Sequence, residues 1–130
     1  MKIMSESIEC LLKVKADEYD FQNDSLLFYK EGEKYKSSIE FNGIILDFSE
    51  NDTIMSLEML DVSEKFHVSK TELLNIKNFD ATIEITEQNI KLTMKIGIIK
   101  RNKVLAKCLE ALTINNMNIP SSTQEIAVTC

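Results

Sequence analysis

The chain has 130 residues, and Ile, Leu, Val and Phe fill 40 of them. This share is well above the roughly 20% below which disorder is the default, so a single domain spanning residues 1–130 is predicted. The net charge is −6, with one histidine, three cysteines and three glycines. These counts exclude a disulfide framework, the familiar histidine-rich metal sites and a glycine-rich nucleotide-binding loop.

No apolar stretch reaches the roughly 18 residues that a membrane-spanning helix requires. The first residues, from Met1 to Ser7, lack the apolar segment of a secretion signal. We therefore expect a cytoplasmic protein without a membrane partner. In that reducing compartment Cys10 and Cys108, which have apolar neighbours, are expected to be small core residues.

The first half of the chain predicts short antiparallel strands joined by polar turns. The predicted strands, recognised by the period-two pattern of their apolar residues, are Leu11–Tyr19, Leu26–Tyr29, Ser38–Phe41, Ile44–Phe48 and Thr53–Leu60. In the last of these, Met55, Leu57 and Met59 are expected on one face and Ile54, Ser56 and Glu58 on the other. The dipeptide Asn42-Gly43 is a strong hairpin-turn signal.

Two short helices are predicted at the centre of the chain. Asp61-Val62-Ser63-Glu64 and Ser69-Lys70-Thr71-Glu72 both place a capping residue three positions before a glutamate. In such a capping box each of the two side chains accepts a hydrogen bond from an otherwise unpaired backbone N–H of the first turn. Each helix should run for about two turns and lie across one face of the sheet.

The second half predicts longer strands. Ala81–Thr86 and Asn89–Ile98 alternate strictly and should form a hairpin, with Ile90 to Ile98 burying every second side chain. Residues 103–113 fit a strand or a helix; a strand is favoured because Lys100-Arg101-Asn102 makes a good turn. After Pro120, a last strand is predicted over Glu125–Thr129. The expected fold is α+β: an antiparallel, strand-rich sheet with two short central helices.

Part of the chain resembles a known pattern. Tyr19-Asp20, Asn23-Asp24-Ser25-Leu26-Leu27-Phe28, Ile45-Leu46-Asp47-Phe48 and Ile54-x-x-Leu57-Glu58-Met59-Leu60-Asp61-Val62-Ser63 are similar to the motifs of a family of small prokaryotic domains of unknown function. The similarity covers residues 15–66, with residues 67–130 as an extension of the same domain. Ser56 and Val62 replace a glycine and an alanine of the family pattern. The resemblance implies no activity, so no catalytic residue is assigned.

Two groups of charged residues are candidate sites. Asp47, Glu58 and Asp61 are carboxylates that a hard divalent cation would accept as ligands. Separately, residues 1–87 carry a net charge of −10 and residues 88–130 a net charge of +4. The basic residues that stand out as an anion- or partner-binding set are Lys91, Lys95, Lys100, Arg101 and Lys103. Each group also has a plain explanation, as turn, capping and solvent-facing residues.

A third combination, His67 with Cys10 or Cys108, would be needed for a nucleophilic thiol. Nothing in the sequence brings these residues together. The functional hypothesis is therefore a binding or self-associating module without catalytic activity, with a homo-oligomer or another protein as partner and no cofactor. Nucleic acid is disfavoured because the basic segment lacks stacking aromatics. The alternative is a divalent-metal-dependent enzyme that uses Asp47, Glu58 and Asp61.

Overall fold

The structure is a computed structural model that describes residues 19–30 and 32–129. Most of the predicted segment Leu11–Tyr19 and the residues Cys10 and Cys130 lie outside the described residues. The elements, in chain order, are β1 (Tyr19–Asp20), β2 (Ser25–Tyr29), β3 (Tyr35–Phe41), β4 (Ile44–Ser49), β5 (Ile54–Met59), α1 (Val62–Phe66), a 3-10 helix (Glu72–Asn75), β6 (Ile76–Ile85), β7 (Asn89–Lys100), β8 (Lys103–Ile114) and β9 (Ser122–Thr129).

The strands form two antiparallel sheets, which makes the fold mostly β. The first sheet has the order β1-β2-β5-β4-β3 and the second has the order β8-β7-β6-β9. The prediction of an α+β fold with two central helices is wrong, because α1 has five residues and the second helix is a single 3-10 turn. The segment Ile76–Asn78, which could have extended the second helix, pairs with β7 instead.

One buried apolar cluster joins the inner faces of both sheets. At its centre the rings of Phe28 on β2 and Phe79 on β6 stack with their centroids 4.0 Å apart. Gln124 on β9 is fully buried and crosses between the sheets, where its amide oxygen accepts from the backbone N–H of Ile54 at 2.7 Å. No described helix is long and apolar enough to cross a membrane.

In the first sheet the strand predictions for β2, β3 and β4 are confirmed. Asn42 and Gly43 both have positive φ, 52° and 72°, as the tight β3–β4 hairpin turn requires. The predicted alternation in β5 is wrong at its start. Asp47 pairs with Ser56 and Phe48 with Ile54, so one residue bulges out of the ladder and Ile54 turns inward to become buried.

The two capping predictions have different outcomes. Asp61 adopts a left-handed conformation with φ 53° and makes no side-chain cap. In the second box the N–H of Ser69 donates to Glu72 Oε1 at 2.9 Å, and the N–H of Glu72 donates to Ser69 Oγ at 3.1 Å. The predicted reciprocal hydrogen bonds therefore exist, although the helix that they begin ends after one turn.

In the second sheet the predicted hairpin and the predicted strand over residues 103–113 are confirmed. Ile90, Leu92, Met94, Ile96 and Ile98 all point into the core, as the alternation indicates. Arg101 and Asn102 have φ of 53° and 64°, which gives the β7–β8 hairpin a two-residue turn of the type that matches strand twist. The predicted last strand is β9, which begins three residues earlier than expected.

Candidate functional site

Strand β8 is the open edge of the second sheet. It pairs with β7 through twelve consecutive residue pairs without a bulge, and no described strand is hydrogen-bonded to its other side, although β3 and α1 lie near it. At the far end of this ladder, the N–H of Asn115 donates to the carbonyl of Gln88. In an antiparallel pair, hydrogen-bonded residues alternate with residues whose backbone groups point away. The odd-numbered residues of β8 therefore bond to β7, and the even-numbered ones direct their N–H and C=O groups to the open edge.

The side chains of those even-numbered residues lie on the outer face of the sheet and are mostly apolar. Their exposed fractions are 54% for Val104, 59% for Leu112 and 68% for Ile114. We name this set the β8 edge strip; its members are Val104, Ala106, Cys108, Glu110, Leu112 and Ile114. Proteins usually protect sheet edges with lysines, prolines, bulges or short strands. Within the strip Glu110 is the one charged residue.

The other sheet edges in the described part of the chain are shorter or less regular. Strand β1 has two residues, and β3 has a register irregularity between Tyr35 and Ser37. Strand β9 is shorter than β8 and carries the exposed polar residues Thr123 and Glu125. The β8 edge therefore offers the longest regular row of unpaired backbone groups, together with apolar side chains.

Cys108 lies in the middle of this strip and is exposed. The prediction that it is a core residue is wrong, because its apolar neighbours in sequence flank an edge strand and not an internal one. It faces outward opposite Lys95 of β7.

The predicted basic residues are divided between two places. Lys91 and Lys95 lie on the outer face of the second sheet, where they pair across strands with Glu84 and Asp80. The acids of β6 thus balance these two lysines, so the predicted basic group does not form one continuous surface.

Lys100, Arg101 and Lys103 lie at the β7–β8 hairpin. Lys100 Nζ is 2.7 Å from Glu72 Oε2, an ion pair that ties the hairpin to the 3-10 helix. Hydrogen bonds from Lys100 and from the N–H of Ser69 lower the pKa of Glu72 to about 2. Arg101 and Lys103 are exposed, and with Lys100, Val104 and Leu105 they line a shallow depression at the hairpin.

The predicted carboxylates lie in two environments. Asp47 and Glu58 share the outer face of the first sheet, whereas Asp61 immediately precedes α1. Asp47 accepts the hydroxyls of Ser38 at 2.5 Å and Ser56 at 2.6 Å. Among the described residues no three His, Cys, Asp or Glu side chains are grouped as a metal would require. A cation at Asp47 would have to displace these serine hydroxyls.

A hydrogen-bonded group that the sequence analysis did not single out connects the ends of the family-like segment. Asp24 accepts the hydroxyl of Tyr19 at 2.7 Å, and its other oxygen accepts the hydroxyl of Ser63 at 2.6 Å. The N–H of Ser63 also donates to Asp24, so Asp24 caps α1 from 39 residues away. The signal was present in the motifs, which contain all three residues, but the sequence does not show that they meet.

The ionisation of this group follows from its contacts. Partial burial works against the charge of Asp24, but the hydrogen bonds from Ser63 and Tyr19 outweigh it and lower its pKa. Desolvation, and then the hydrogen bond to Asp24, raise the pKa of Tyr19. Asp24 therefore stays a carboxylate and Tyr19 a neutral phenol near neutral pH. The group stabilises the turn between β1 and β2 against α1.

Comparison with known proteins identifies a family domain in the first part of the chain. Residues 18–63 match DUF2283, described as a protein of unknown function. The described residues of this range form the first sheet and the start of α1. The expected resemblance to a domain family of unknown function is thereby confirmed. No solved structure matches the chain.

Two curated relatives match over most of their length. A protein of Methanosarcina mazei named "Putative hypoxanthine phosphoribosyltransferase" is 52% identical over 113 residues, which are 87% of this chain and 92% of the relative. An uncharacterized protein of Methanocaldococcus jannaschii is 41% identical over 97 residues, covering 74% of this chain and 83% of the relative. The chain belongs to the family that these two proteins represent, and it carries the DUF2283 domain.

Proposed function

We propose that the protein is a non-catalytic binding module that receives an added strand at the β8 edge strip. The observation that supports this function is the coincidence of unpaired backbone groups and exposed apolar side chains on the same six residues. In strand addition, backbone hydrogen bonds supply affinity and alternate side chains supply specificity. Each backbone bond contributes about 0.5–1.5 kcal/mol net, so a partner strand that spans the whole strip gains several kcal/mol.

The regularity of the β7–β8 ladder supports the same proposal. Because one face of β7 packs into the core, β7 holds β8 in a regular register along all twelve residues. A partner strand would therefore meet a preformed edge and would not have to order it. Preorganisation of this kind reduces the entropic cost of association.

The test uses hydrogen exchange of the backbone amides. In the dilute, unpaired chain we expect the amides of Val104, Ala106 and the other even-numbered residues of β8 to exchange rapidly, while the odd-numbered ones are protected by β7. An eight-residue peptide of alternating valine and threonine serves as the probe strand. Added peptide should protect the even-numbered amides and leave the odd-numbered ones unchanged, as measured by two-dimensional NMR.

Leu112→Lys is the variant that tests the role of the strip, because it adds a charge to an apolar position at the open edge. Leu74→Lys is the matched control, since Leu74 is 50% exposed but lies in the 3-10 helix. Peptide protection should be lost in the first variant and kept in the second. Equal protection in both variants, or protection of odd-numbered amides, would contradict strand addition at this edge.

The name of the Methanosarcina mazei relative makes phosphoribosyl transfer to hypoxanthine a second candidate function. Phosphate groups are commonly bound by glycine-rich turns at helix N-termini. Of the three glycines, Gly32 and Gly43 lie in turns of the first sheet and Gly97 lies within β7. Incubation of the purified chain with hypoxanthine and an activated phosphoribose donor, followed by detection of the nucleotide product, tests this activity directly.

A further inference from the structure

We propose that the strand added at the β8 edge strip is β8 of a second copy of the chain, antiparallel to the first, with Leu109 on the twofold axis. The inference rests on the proposed function, because it names the partner of the same edge. In this arrangement Val104 lies opposite Ile114 of the second copy, and Ala106 lies opposite its Leu112. The two four-stranded sheets become one continuous sheet.

Self-complementarity selects this register. The residues that present backbone groups to the edge are the even-numbered ones from 104 to 114, and they all pair among themselves only when Val104 faces Ile114. About twelve hydrogen bonds can then form between the copies, because each hydrogen-bonded pair of an antiparallel ladder exchanges two. A shift of two residues toward the hairpin leaves Ile114 facing Asn102 of the turn.

Charge excludes the neighbouring registers. A shift of two residues in one direction would place Glu110 opposite its own copy, and a shift of four in the other would place Lys107 opposite its own copy. In a parallel, in-register pair, Glu110, Lys107 and Lys103 would each lie beside the same residue of the second copy. Like charges directly opposite each other destabilise a sheet. In the proposed register Glu110 faces Cys108 and Lys107 faces Ala111, so no like charges are opposed.

The apolar side chains of the strip complete the argument for a second copy. In the free chain Val104, Leu112 and Ile114 are more than half exposed. The proposed pairing brings Val104 against Ile114 at both ends of the interface, because the twofold axis repeats each contact. Every apolar member of the strip then has a neighbour on the adjoining strand, and the outer face becomes continuous across the axis.

The proposed interface is small, and its area can be estimated from the length of β8. Twelve residues of strand span about 40 Å, and a sheet with its side chains is about 10 Å thick, so each copy buries about 400 Å² at the edge. Strand β3 and helix α1 also contact β8 within the same chain. The total of about 800 Å² is below the roughly 1,200–2,000 Å² of stable specific interfaces and in the range of weak, transient ones, so the dimer should dissociate on dilution.

The test places a cysteine at the proposed axis. In a chain whose three native cysteines are replaced by serine, Leu109→Cys should form an intermolecular disulfide on mild oxidation, because residues 109 of the two copies would face each other in a non-hydrogen-bonded pair. Leu105→Cys in the same background is the matched control. It has the same residue type, strand and face, but it would lie opposite Thr113. We expect at least tenfold more covalent dimer from the first variant.

Equal cross-linking of the two variants, or none in either, would overturn the proposed dimer. Hydrogen exchange of the cysteine-free parent chain provides a second measurement in case a cysteine variant misfolds. In that parent chain the even-numbered β8 amides should become protected as the protein concentration rises. A different result would be a chain that stays monomeric, with even-numbered amides that only the valine–threonine peptide protects. That result would refute self-pairing and support strand addition. A chain protected by neither would refute both proposals.

Discussion

Replacement of Gln124 by leucine should destabilise the protein strongly, although the two side chains are similar in size. Gln124 is fully buried; its amide oxygen accepts from the N–H of Ile54 and its amide nitrogen donates to the carbonyl of Asp52 at 3.1 Å. Leucine would leave the buried N–H of Ile54 and the part-buried carbonyl of Asp52 without these partners. Each unsatisfied group costs about 1–3 kcal/mol, so the loss should be about 2–6 kcal/mol.

That loss is a large part of the roughly 5–15 kcal/mol that stabilises a domain of ordinary size. For a chain of this length 1 kcal/mol corresponds to a shift of about 3–5 °C, so the melting temperature should fall by about 6–30 °C. Thermal unfolding followed by circular dichroism and urea unfolding would both measure the change.

Ser122→Ala is the matched control for this experiment. Its hydroxyl accepts a longer, 3.3 Å hydrogen bond from the same amide nitrogen, which keeps its bond to Asp52 when the hydroxyl is removed. We expect this variant to lose less than about 1 kcal/mol. A Gln124→Leu protein as stable as the parent chain would refute the view that Gln124 ties the two sheets together through Ile54 and Asp52.

Three further predictions follow from the structure. Gly97→Ala should destabilise by about 1–2 kcal/mol, because the new Cβ would lie 2.0 Å from Asn78 Oδ1; Asn78→Ala should restore part of the loss in a double-mutant cycle measured by urea unfolding. The lowered pKa of Asp24 contributes stability that is complete above pH of about 4 and is lost as the pH falls through the folded-state pKa; Asp24→Asn should remove that acid dependence of the melting temperature. Adding Mg²⁺ or Ca²⁺ to chelator-treated protein should leave the melting temperature unchanged, because Asp47 already accepts two serine hydroxyls; a rise would support the metal-dependent alternative.

The two hypotheses about association can also be separated by salt. Pairing at the β8 edge strip is apolar and hydrogen-bonded, so the dimer fraction measured by analytical ultracentrifugation should be the same at about 0.05 M and 1 M NaCl. An association between the acidic first part of the chain and the basic hairpin would weaken over that range, because salt screens exposed charges.

The period-two pattern was sufficient to predict most strands and their pairing. Residues Ile90 to Ile98 alternate because one face of β7 meets the core and the other meets the outer surface, and this requirement is local. The pattern failed at Ile54, where a bulge reverses the order of the faces. A bulge depends on the pairing of β4 with β5, which a single strand does not encode.

The number of sheets and helices could not be read in the same way. Two capping boxes predicted two helices, yet Ser69 and Glu72 make their reciprocal bonds around a single turn, because Ile76 is already needed in the β6–β7 ladder. Here long-range pairing overrides a local helix signal.

The candidate site was only partly predictable. A strand over residues 103–114 could be inferred, but its place at the edge of a sheet depends on the order of strands that lie far apart in the chain. Cys108 was expected in the core for that reason. The contact between Asp24 and Ser63 is also long-range, so the motif residues could be recognised without revealing that they cap α1.

The stack of Phe28 on Phe79 has a consequence for the boundaries of the domain family. The segment that matches DUF2283 supplies only one half of the apolar layer, since Phe79 and its neighbours come from beyond residue 63. A fragment cut at that position would leave the inner side of its five-stranded sheet bare to water. Proteins built from this segment alone must therefore shield that side by other means, such as packing two such sheets against each other.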